Sequence, residues 1–244
     1  MHRTLLGMLT PSSNTVLEPY TSAILHDLMP HVSAHFQRFT VKEISLSEAA
    51  LAQFDPQPQL DAARLLHDAH MDVIAWNGTS SSWLGFDADR RLCEAITHAT
   101  GVAATSSVLA LNEVLKRTGV TRLGLVTPYL DDIQAAIVAN YQQEGIEVVA
   151  ERHLNDRGNF SFSEYSEDTL ADMVRDVARA KPDAITILCT NLRGAGIVEA
   201  LEAEIGIPIY DSVSVTVWKC LALAGRNPAD IRGWGQLFHD PRLR

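Results

Sequence analysis

The five residues Gly7-Met8-Leu9-Thr10-Pro11 return later in the chain as Gly124-Leu125-Val126-Thr127-Pro128. Two further pairs follow in the same order. Gly78-Thr79-Ser80, after the apolar run ending at Trp76, answers to Cys189-Thr190-Asn191 after the run ending at Leu188. Gly101-Val102 with Ser107-Val108 answers to Gly206-Ile207 with Ser212-Val213. Three matches in one order, at slowly falling offsets, argue for a duplicated half.

Around these anchors, short apolar runs alternate with longer amphipathic segments, the pattern of an α/β protein with mostly parallel sheets. The runs 5–9, 72–76, 123–126, 147–150, 184–188 and 207–210 read as strands. Segments 57–69, 87–99, 108–117, 131–144, 167–180, 197–205 and 215–223 carry apolar residues three and four apart and read as helices with one buried face. Gly101, Gly119, Gly145 and Gly206 fall where helix C-caps need a left-handed residue. The expected division is an N-terminal half-domain over 1–105, a second over 106–212, and a C-terminal helical segment, 213–244, that completes the first half.

Composition narrows the function. A chain of 244 residues, 46% hydrophobic and 20% charged, has the makeup of a globular protein. Its net charge of -10 opposes phosphate backbones and anionic membrane surfaces, so no nucleic acid and no membrane partner is expected. A small carboxylate or dicarboxylate remains a fitting substrate, because neutral hydroxyls and backbone amides hold such an anion locally; a homo-oligomer stays open. Cys93, Cys189 and Cys220 stand too far apart for a disulfide framework or a paired metal motif, which fits a reducing, cytoplasmic setting. The run 5–9 is too short for a signal-peptide core, and no stretch approaches the roughly 20 apolar residues that cross a bilayer.

In open parallel sheets, ligands sit beyond the carboxyl ends of the strands, and the repeated motifs all lie there. If the halves face each other, Pro11 to Asn14, Gly78 to Ser81, Pro128-Tyr129 and Cys189 to Asn191 meet in one pocket. Gly78-Thr79-Ser80-Ser81-Ser82 offers hydroxyls and amides to a carboxylate, although a helix-capping turn is the other reading of such a tract. Cys189 ends an apolar strand and enters a polar turn, where a thiol can give or take a proton; free cysteines are more commonly buried packing residues, which suits Cys93 and Cys220 better. Tyr129 can aim its phenol at the same anion, and Asn14 and Asn159 can add amide donors. Trp83, Leu84 and Phe86 are candidates for an apolar wall. Asp131 and Asp132 suit the first turn of their helix. The nine histidines show no zinc-like pairing and no dinucleotide or phosphate-loop motif occurs, so a cofactor-free and metal-free site is expected.

These residues resemble the aspartate/glutamate racemase superfamily, in the branch of arylmalonate decarboxylases and maleate cis-trans isomerases. The likeness runs over nearly the whole chain and is strongest at Gly78-Thr79-Ser80, Thr127-Pro128-Tyr129-Leu130-Asp131-Asp132, Cys189 with Gly206-Ile207-Pro208, and Gly233-Trp234-Gly235-Gln236-Leu237-Phe238. The resemblance implies two pseudo-symmetric flavodoxin-like half-domains, an active site in the cleft between them, and no cofactor. Racemases and isomerases of this kind place one cysteine in each half; here the first position falls at Gly78 and Cys189 remains, as in the decarboxylases. By the same resemblance Thr79, Ser80 and Tyr129, with backbone amides near Thr190, form an oxyanion hole. Pro11-Ser12-Ser13-Asn14 and Asn159 resemble instead the carboxylate-binding residues of the isomerases.

Chemistry ranks the activities. A two-base racemase needs a proton carrier on each face of the substrate, and the isomerase reaction, as the resemblance implies it, begins with attack by the first cysteine on the double bond; Gly78 supplies neither. Decarboxylation needs charge stabilisation and one proton donor. The expectation is therefore a cofactor-independent lyase acting on a small dicarboxylic acid through an enediolate that Cys189 protonates, with an isomerase or racemase second and a non-catalytic carboxylate sensor third.

Overall fold

The computed structural model describes residues 3–41 and 56–244. Within them, β1 (Thr4–Pro11), β2 (Val32–Phe39), β3 (Val73–Trp76) and β4 (Ala103–Ser106) form one sheet in the order β2-β1-β3-β4. A second sheet of β5 (Arg122–Thr127), β6 (Glu147–His153), β7 (Ala184–Ile187) and β8 (Ile209–Asp211) has the order β6-β5-β7-β8. Every pairing is parallel. The sequence repeat is thus a repeat of architecture, and each copy has the strand order of a flavodoxin-like sheet.

The repeated glycine at the head of the motif does the same work twice. A Cβ on Gly7 would lie 3.0 Å from Met71 Cγ and 3.2 Å from Leu66 Cδ1 of the helix Pro56–His67. A Cβ on Gly124 would lie 2.4 Å from Val177 Cγ1 of the helix Glu167–Ala178. In both halves the missing side chain lets a helix seat directly on the first strand.

The seven helices expected from periodicity are present, from Pro56–His67 to Ser212–Leu223. The last begins three residues before the expected Val215, because the Asp211 carboxylate accepts the amides of Val213 and Ser214 and starts the helix there. It packs on the helix Ser107–Thr118 and on β3 and β4 of the first sheet, and Ser107 Oγ donates to the Ser212 carbonyl at 3.0 Å. Two strands and two helices were not expected. β2 is an edge strand whose Ser33, His35, Gln37 and Arg38 break the apolar run, and β4 is Ala-Ala-Thr-Ser, with little bulk to signal a core strand. The helix Leu17–Ile24 carries Pro19 in its first turn, where no amide is needed, and the helix Ser81–Leu84 is a single turn. Among the described residues no helix is long and apolar enough to cross a membrane.

Candidate active site

β3 and β7 are equivalent strands of the two sheets, all four residues of each buried, and the turns at their carboxyl ends carry Gly78-Thr79-Ser80 and Cys189-Thr190-Asn191. The two turns meet. Gly78, Thr79, Ser80, Tyr129, Asn159, Cys189 and Thr190 line one cavity of about 30 Å³, closed around by Pro11, Val41, Trp76, Trp83 and Phe162. That volume lies far below the roughly 300–1,000 Å³ of ordinary ligand pockets.

A polar chain crosses the cleft. Thr79 Oγ1 and the Tyr129 hydroxyl lie 2.5 Å apart, and the Tyr129 hydroxyl also hydrogen-bonds Cys189. The phenol is set by its ring, which lies between Trp83 and Phe162 with centroids 5.0 and 5.8 Å away. Burial above all pushes the phenol well above its ordinary pKa, so it is a neutral donor. The amides of Thr79, Ser80 and Thr190 donate to no protein acceptor among the described residues.

Cys189 is 3% exposed. Burial pushes its thiol up to about 12; the Asn191 amide, 3.4 Å from Sγ, the Tyr129 hydroxyl and the Leu192 amide pull it down, and the Asp211 carboxylate pushes it up again. At neutral pH the group is S–H, a proton donor rather than a thiolate nucleophile. Asp211, wholly buried at the end of β8, has one oxygen on the Val213 and Ser214 amides and the other without a partner among the described residues; burial raises it to about 7. Cys93 and Cys220 are buried and form no disulfide, and burial, outweighing the nearby Lys219 charge, pushes Cys220 up to about 12.

The expectation for Asn14 needs correction. Its amide nitrogen donates to the Thr190 carbonyl and Oγ1 at 3.1 and 3.2 Å, and its oxygen accepts the amides of Val16 and Leu17. It caps a helix and ties the halves together, and it does not line the cavity. Asn159 does line it, with its amide donating to Ser13 Oγ at 2.9 Å. Thr190 offers its backbone rather than its hydroxyl, which donates to the Asn77 carbonyl. Of the three apolar candidates, Trp83 lines the cavity; Leu84 is 37% exposed and Phe86 packs on Tyr141.

Sequence reasoning missed Trp76 and Asp211 as parts of the site, and placed Asn191 in the converging turns without a role. Asn191 takes the amides of Thr15 and Val16 on its oxygen and donates to the Asn159 carbonyl, so it knits three loops together. Its place in the Cys189-Thr190-Asn191 repeat was the signal available for it; Asp211, directly before the repeated Ser212-Val213, carried a similar one. Among the described residues no group of three or more His, Cys, Asp or Glu side chains is placed to hold a metal.

Two parallel α/β halves, joined over a buried cavity with a thiol on one side and a glycine turn on the other, define a class of fold that known proteins share. The sequence pattern of the arylmalonate decarboxylase family matches residues 28–238. Arylmalonate decarboxylase of Bordetella bronchiseptica is 27% identical over 240 residues, covering 96% of each chain. Maleate isomerase of Geobacillus stearothermophilus is 23% identical over 226 residues, covering 88% of this chain and 90% of that one. In structure, the maleate isomerase Iso from Pseudomonas putida S16, in a cysteine-to-alanine variant with maleate, superposes with a TM-score of 0.90 over 99% of both chains at 23% identity, a likeness of fold. The chain belongs to the arylmalonate decarboxylase family.

Proposed function

We propose that this protein is a cofactor-independent decarboxylase of a small malonate-type dicarboxylic acid. The observation that carries the reading is the pairing of a protonated Cys189 thiol with a glycine, Gly78, at the matching turn of the other half. One carboxylate of the substrate rests against the amides of Thr79, Ser80 and Thr190 and the hydroxyls of Thr79, Ser80 and Tyr129. The bond from the α-carbon to the second carboxylate breaks, and carbon dioxide leaves. The electron pair of that bond passes into the retained carboxylate as an enediolate. Each well-placed neutral donor to that oxyanion contributes about 2.7–4 kcal/mol to the transition state. Cys189 then gives its S–H proton to the α-carbon, and the resulting thiolate recovers a proton from solvent.

Family membership supports the reaction class, and the alignments with the named decarboxylase and isomerase cover 96% and 90% of those chains. The isomerase reading draws on Ser13, Asn14 and Asn159. The commitment of both Asn14 amide hydrogens to Thr190 weighs against a substrate role for that side chain, and a thiol held near 12 is a poor nucleophile. Three free, buried cysteines suit a reducing cytoplasm.

The test is gas release from a panel of substituted malonates. Stoichiometric carbon dioxide with the monoacid as product supports the proposal. Interconversion of geometric isomers or enantiomers without gas assigns the site to the isomerase or racemase reaction; tight binding of the acids with no chemistry makes it a sensor.

A further inference from the structure

Gly78 leaves no hole. A Cβ built on it would fall 1.9 Å from Trp76 Cζ2, 2.4 Å from Cε2 and 2.5 Å from Cη2, so the indole already occupies the space into which a side chain at position 78 would project. Trp76 is 2% exposed and anchored from behind by Phe39, with ring centroids 5.1 Å apart. Trp76 also lines a second cavity of about 380 Å³, with Leu84, Asp89, Leu92 and Ala95 in its lining. It shares only Trp76 and Ser80 with the cavity that holds Cys189. The indole is therefore a partition between a very small chamber at the thiol and a roomy one beside it.

We infer that Trp76 sets the substrate range of this site: its indole closes off the position-78 side and restricts the α-substituent to hydrogen or a short alkyl group, excluding aryl groups. This rests on the decarboxylase reading for the reaction, but the steric claim is separate from it. A shorter side chain at 76 joins the two cavities and admits the larger acid. It also makes room for a side chain at 78.

Two measurements test this. The first is a double-mutant cycle in urea unfolding with Gly78→Ala, Trp76→Leu and the double variant. Gly78→Ala alone lowers the unfolding midpoint, and most of that loss vanishes in the Trp76→Leu background; additive losses overturn the claim that the two positions compete for one space. The second compares methylmalonate with phenylmalonate by carbon dioxide release, and their product acids, propionate and phenylacetate, by calorimetry. The unaltered protein prefers the methyl compound in kcat/KM and propionate in binding, and Trp76→Leu shifts both preferences toward the aryl acid by about tenfold or more. Trp76→Phe, a milder change, shifts them less, and serves if the leucine variant does not fold. A preference for the aryl acid in the unaltered protein, or ratios that ignore position 76, overturns the inference. Should neither malonate release gas, the decarboxylase reading fails while the binding ratio still decides the role of Trp76.

Discussion

At the scale of single residues, the account turns on where protons sit. Cys189 holds its proton because burial and the nearby Asp211 carboxylate outweigh the three donors that favour the thiolate. Cys189→Ser keeps the shape and removes an acid of useful strength, so kcat falls by roughly 10²–10⁴ with KM little changed, as gas release against substrate concentration will read. Asp211 makes a pH prediction. Its native pKa, raised to about 7 from the ordinary 3.8, means that the folded protein keeps this proton over a range where the unfolded chain loses it. Its stabilising contribution is complete below about pH 4 and is lost as the pH rises through about 7. Asp211→Asn retains an oxygen for the Val213 and Ser214 amides and removes the titration. Unfolding midpoints of the variant, relative to the unaltered protein, will therefore rise between pH 4 and 7. Cys189, Gly78, Thr79 and Tyr129 were legible in the sequence because strand-end repeats marked their turns. Asn14 was legible as a residue but not as a helix cap that bridges the halves, since its partner Thr190 lies 176 residues away. Trp76 read as the last residue of a strand; that its ring folds over position 78 is decided by packing against Phe39.

At the scale of elements, the first strand of each sheet depends on a glycine to receive its helix, and the two contacts differ in tightness. The nearest atom to a Cβ at Gly124 is only 2.4 Å away, against 3.0 Å at Gly7. Gly124→Ala is expected to lower stability by about 1–3 kcal/mol, and Gly7→Ala by less, in urea unfolding of the two variants. The same logic governs what the sequence disclosed. β1, β3, β5 and β7 are covered on both faces and so appear as apolar runs, whereas β2 and β4 lack that signature. The edge strand β2 pays for its exposed face with polar residues that hide its periodicity, yet it pairs with β1 along all eight residues and carries Arg38, whose guanidinium holds the Ser12 and Asn14 carbonyls at 2.9 Å.

For the whole molecule, duplication explains both the fold and the place of the chemistry. Two sheets of one strand order bring equivalent turns together, and the cleft is closed by bonds that cross it: Asn14 to Thr190, Thr190 to the Asn77 carbonyl, and Thr79 to Tyr129. The tail is fastened by a buried carboxylate. Glu202 accepts the amides of Ile209 and Gln236, and Gly235 passes so near that a Cβ there would lie 2.5 Å from Val198 Cγ1. The repeat made this architecture legible from the chain alone; the small volume of the closed cavity was not, because it depends on how the two halves press together around Trp76, Trp83 and Phe162.

The central claim is that one thiol, on one face, protonates the carbon from which carbon dioxide has left. The most direct measurement is turnover of a methyl-substituted malonate bearing a second, different small alkyl group in deuterated water, with gas, label and handedness of the product followed together. The account predicts one deuterium at the α-carbon for each carbon dioxide released and a single enantiomer. A racemic product, or label without gas, would contradict it.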